Sequence, residues 1–76
     1  MMKSAGRVSD CGERLRQEIL KRDIDLTEMA RRIGMSRTTI YNFLYDGTDT
    51  SSLRLAKMCR YVGVSMDYVM GLRREP

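Results

Sequence analysis

DLTEMARRIGMSRTTIYNFLY, residues 25–45, is the stretch on which the fold turns. Two helical patterns run through it, separated only by Gly34-Met35-Ser36. That break is too short for two helices to lie side by side, so they must cross steeply. In the first pattern Met29, Ala30 and Ile33 share a face, and in the second Ile40, Phe43 and Leu44 do so, each at spacings of three or four. The other face of the second helix holds Arg37, Thr38, Tyr41, Asn42 and Tyr45. It is polar, carries aromatic hydroxyls and has no acid.

The flanks of this stretch supply helix starts and stops. Asp25 is placed to accept from free backbone amides, with Glu28 reaching back and Ile24 stapling against Met29. Ser36 caps the second helix, and Gly47 can take the left-handed conformation that closes it. Towards the N-terminus, Asp10 and Glu13 have capping-box spacing, and Cys11, Leu15 and Ile19 set a buried stripe running to about Arg22. The rest of that helix, with Glu13, Arg14, Arg16, Gln17, Glu18 and Lys21, is mixed in sign and is expected to face solvent. Residues 1–9 are expected to form a frayed N-terminal arm. Towards the C-terminus, Ser51 or Thr50 caps a helix with Leu55, Met58, Cys59 and Val62 inside and Arg54, Lys57 and Arg60 outside. Gly63 stops it, Ser65 caps a fifth short helix, and residues 72–76 form a tail or the start of a linker.

Length and composition bound what such a chain can be. Its 76 residues make one domain near the lower limit for a single core, which favours a helical bundle with local contacts. Basic residues outnumber acidic ones 14 to 10, a net charge of +4 that suits a polyanionic partner. Two cysteines and no histidine cannot complete a four-ligand zinc site, and no metal or cofactor is expected. No apolar run approaches the length of a membrane span, and residues 1–10 lack the apolar stretch of a signal peptide. With no histidine, no glycine-rich phosphate loop and no paired carboxylates beside a nucleophile, an enzyme is not expected. Strand-like alternation is never sustained, so the fold class is all-α, a compact bundle of five short helices.

Residues 25–45 resemble the helix-turn-helix of the lambda-type repressor and Cro family. Ala30 stands where the two helices touch, Gly34 where the turn needs a left-handed backbone, and Met29, Ile33, Met35, Ile40 and Phe43 occupy the apolar positions. LAKMCRYVGVSMDYVMG is similar to the end of repressor-type domains, so the resemblance covers residues 10–71. Two departures stand out. Leu26 replaces the glutamine that usually grips a phosphate, and the loop after the second helix reaches its glycine one residue late.

The resemblance implies a lambda-repressor-like DNA-binding domain, expected to be cytoplasmic and nucleoid-associated in a prokaryotic host. Its expected partner is double-stranded operator DNA, bound as a homodimer. By position in the motif, Arg37, Thr38, Tyr41 and Asn42 would read bases, while Ser36, Thr27, Tyr45, Thr48 and Arg31 would meet the backbone. Their chemistry agrees, since arginine suits guanine, asparagine suits adenine and the threonine methyl suits thymine. Met66, Tyr68, Val69 and Met70 are more apolar surface than one short helix buries in so small a core, and in this family that region often makes dimer contacts; the competing reading is that the methionines fill gaps in the core. The alternative is a protein-interaction module, such as an antitoxin or accessory subunit, built on the same bundle.

Overall fold

The computed structural model describes residues 8–76. Five helices follow one another: α1 (Val8–Lys21), α2 (Leu26–Ile33), α3 (Arg37–Tyr45), α4 (Ser52–Val62) and α5 (Met66–Val69), with no strand among the described residues. Short polar side chains start four of them. Asp25 Oδ1 accepts from the Thr27 amide at 3.1 Å, and the hydroxyls of Ser36, Ser51 and Ser65 accept from the amides of Thr39, Arg54 and Tyr68 at 3.1, 3.2 and 3.1 Å. Each cap satisfies an amide that has no partner inside its helix. Gly34 (φ 72°) and Gly63 (φ 92°) end α2 and α4 in the left-handed conformation that costs glycine no Cβ clash.

The helices meet at one core to which each contributes. Leu15, Met29, Ile40, Met58 and Val69, one from each helix, are all 0% exposed. The expected inner stripe of α4 is buried in full. α3 packs on α1 and α2, α4 packs on α2, and α5 closes over α1 and α4. Burial, with a smaller effect from Cys11, pushes the Cys59 thiol up to about 11.

Several local expectations need correction. α1 begins at Val8, so Asp10 is a helical residue rather than the cap; of the expected arm, residues 1–7 lie outside the described residues and 8–9 belong to α1. Glu28 does not reach back to Asp25. It takes hydrogen bonds from Arg31 (2.6 Å) and Arg32 (2.8 Å), because charged donors three and four residues on outcompete a neutral amide. Those bonds hold its carboxyl at about 2. The tail folds back on α5, with the Leu72 and Arg73 amides donating to the Asp67 carbonyl at 2.7 and 3.2 Å.

The largest correction concerns the polar face of α1. Glu18 is 1% exposed and accepts from Lys21 Nζ (3.2 Å), Arg22 Nε (3.3 Å) and the Tyr68 hydroxyl (3.3 Å). Burial alone would raise its pKa, but the bonds from Lys21, Arg22 and Tyr68 outweigh it and hold the carboxyl below its ordinary value. Three arginines reach from this region to the last carbonyls of other helices. Arg16 donates to Leu44 O of α3 (2.8 Å), Arg14 to Val69 O of α5 (3.1 Å), and Arg22, just past α1, to Val62 O of α4 (3.2 Å). A cation is favoured there by both the unpaired carbonyl and the helix dipole. Gly12 makes the α1–α3 contact close, since a Cβ at this position would collide with the Phe43 carbonyl oxygen and lie 3.4 Å from Leu44 Cα.

Candidate nucleic-acid interface

The capped start of α3 is where the expected reading residues begin. The Ser36 hydroxyl accepts from the Thr39 amide and donates to Thr39 Oγ1 at 2.7 Å, so it is tied into the helix start. Arg37 Nη1 donates to Thr27 Oγ1 at 3.0 Å. That bond brings the first turns of α2 and α3 to one surface and holds the guanidinium at their junction. Thr38 is exposed beside it.

Further along α3, Tyr41 and Tyr45 are 45% and 48% exposed, with ring centroids 5.2 Å apart and planes inclined by 24°. The guanidinium of Arg16 lies 5.0 Å from the Tyr45 ring centre, and the same group donates to Leu44 O. Asn42 is half-buried, and its backbone carbonyl accepts from the amides of Asp46 (3.0 Å) and Thr48 (3.2 Å). The Thr48 amide is therefore engaged, which leaves its hydroxyl as the group to meet a phosphate. Arg31 is exposed but paired with Glu28, and that pairing raises the pKa of both Arg31 and Arg32. Contacts thus link Arg37 with Thr27 and Tyr41 with Tyr45. Thr48, Arg31 and Asn42 have no such side-chain link to the other candidates.

The expected dimer residues separate into two kinds. Met70 is 43% exposed, and Met66 and Tyr68 are half-buried. Val69 is a correction: at 0% exposure it belongs to this chain's own core, because α5 turns that side chain towards α1 and α4. A shallow depression of about 260 Å³ beside α5 is lined by Met66, Met70, Cys11, Leu55 and Thr50, among others. Thr50 Oγ1 is buried there without a hydrogen-bond partner. A second depression, of about 420 Å³, lies between α2 and α4 and is lined by Arg32, Ile33, Lys57, Arg60 and Tyr61.

Sequence reasoning missed Arg16 and Gly12, which set how α3 sits on α1. The available signal was their spacing, since Gly12 and Arg16 are one helical turn apart on one face. Among the described residues no helix is long and apolar enough to cross a membrane.

The arrangement presents a capped helix with an acid-free outward face, suited to base edges in a major groove. The family model described as Helix-turn-helix matches residues 15–69, the second half of α1 and all of α2 to α5. No curated protein and no solved structure matches the chain. A family match over 55 of the 76 residues shows membership. The chain belongs to the helix-turn-helix family of the lambda repressor and Cro type, a DNA-binding domain of sequence-specific transcription regulators.

Proposed function

We propose that the chain is a prokaryotic or phage repressor that binds a pseudo-palindromic operator as a homodimer, working in the cytoplasm at the nucleoid. Each copy lays α3 in a major groove, with half-sites about one turn, roughly 34–36 Å, apart. Occupying promoter DNA then blocks polymerase. The observation that carries this reading is the bond between Arg37 and Thr27, which sets an arginine where α2 and α3 both begin. Arg37, Thr38, Tyr41 and Asn42 read bases, and Ser36, Thr27, Tyr45, Thr48 and Arg31 meet the backbone. Residues 10–71 form the binding unit. Met66, Tyr68 and Met70 contribute the dimer contact, and the depression that Met66 and Met70 line supports it, since a second copy would cover its apolar lining.

Selection from a random duplex library, with the recovered pool assayed at two salt concentrations, tests the reading. A two-fold symmetric site with a steep salt slope is expected, because neutralised phosphates release counterions. Arg37→Ala or Asn42→Ala should lose about 1–3 kcal/mol on that site and relax preference at one base pair. Unchanged preference in both variants would remove α3 from the reading role. The protein-interaction module draws support from the depression between α2 and α4, where Lys57 and Arg60 have no acidic partner among the described residues. A folded chain that enriches no DNA would favour that module.

A further inference from the structure

Tyr41 and Tyr45 stand four residues apart on α3, a spacing that brings their rings together on the helix surface. Two exposed tyrosines would ordinarily move independently. Here a third group fixes the pair: Arg16 is anchored by its 2.8 Å bond to Leu44 O, and its guanidinium covers the Tyr45 ring at 5.0 Å. Tyr45 in turn stacks on Tyr41 at 5.2 Å. The result is a ladder that starts on α1 and ends in the middle of α3's open face. Thr38, three residues before Tyr41, is exposed on the same helix. Beside Arg37 and Asn42, the face thus carries a wall of two stacked rings.

In the major groove of unmodified DNA only thymine offers a methyl to such a wall. We infer that Arg16 is a positioning residue, holding Tyr45 and through it Tyr41 against the C5 methyl of thymine in the operator. This rests on the reading of α3 as the base-reading helix. The competing role for Arg16 is a phosphate contact of its own, in which its charge would serve every sequence alike.

The test uses the full chain and the selected operator, with thymines replaced one at a time by uracil, which deletes the methyl and keeps every hydrogen bond. One or two thymines per half-site should lose about fourfold in affinity, the factor for burying one methyl-sized group. In Arg16→Ala the thymine-to-uracil ratio at those positions should fall towards one. Arg16→Lys should not restore it, because an ammonium lacks the planar face that stacks. Should Arg16→Ala fail to fold, Tyr45→Leu removes the middle of the ladder and is read by the same ratio. Equal loss on thymine and uracil duplexes, with the salt slope lower by about 1, would assign Arg16 to a phosphate and overturn the inference. A site that is enriched but indifferent to uracil would overturn it alone, while no enrichment would remove both it and the reading beneath it.

Discussion

α1 and α3 each set a polar face opposite a buried stripe, yet the face of α3 stays open while much of that of α1 is taken up by other helices. On α1, Glu18 is buried under Tyr68, and Arg14 and Arg16 run to the ends of α5 and α3. On α3, Thr38, Tyr41 and Tyr45 remain exposed. Helical periodicity identifies the stripe that must be buried. It does not say whether the remaining side chains meet water or the ends of neighbouring helices. What separates the two faces is their surroundings, since three helices end beside α1 and their last carbonyls need donors.

The contrast is broken most severely at Gly12. Gly12→Ala sets a methyl against the backbone of Phe43, which no rotamer change relieves. A loss of about 2–3 kcal/mol is expected, read as a lower urea midpoint at constant m. Glu18→Gln should cost about 1–2 kcal/mol at pH 7, since the amide lacks the charge that strengthens the Lys21 and Arg22 bonds and keeps only one acceptor oxygen for three donors. It also changes the acid limb of stability. Glu18 and Glu28 both have lowered folded pKa values, Glu28 to about 2, so their contribution is complete above the ordinary carboxylate range and fades as pH falls through the folded values. Unfolding free energy should be level above about pH 5 and fall below it, less steeply in the Glu18→Gln variant, where Glu28 alone of the two remains to titrate. An unaltered limb would place Glu18 in solvent. Tyr68→Phe removes one bond to Glu18 and should cost about 0.5–1 kcal/mol. On α3, Thr38→Ala should stay within about 0.5 kcal/mol in thermal melts, and a larger loss would make that face structural too.

What was legible in the sequence was chemistry that acts within a few residues. Asp25, Ser36, Ser51 and Ser65 cap because their own side chains reach amides two or three positions on, and Gly34 and Gly63 end helices through their own φ. The stripe of α4 is long enough for its period to be read. Val69 was misjudged because α5 has four residues, too few to show a period, and a neighbouring helix decides which of its apolar residues is inside. Gly12, Arg16 and the bond from Tyr68 to Glu18 share one cause of illegibility, since in each the partner lies on another helix. On the candidate interface the outward set on α3 was visible. The bond that ties Arg37 to Thr27 and the stack that begins at Arg16 were not, because each joins two elements.

The arginines near α1 also bear on synthesis. α1 leaves the ribosome before the rest of the bundle, yet the carbonyls bound by Arg16, Arg22 and Arg14 lie 28, 40 and 55 residues later in the chain. At a translation rate of about 5–20 residues per second, the first helix waits seconds for its last partner. The domain therefore closes late, when Val69 emerges and gives Arg14 its carbonyl, and a nascent chain halted before that residue holds α1 with its seam to α5 still open.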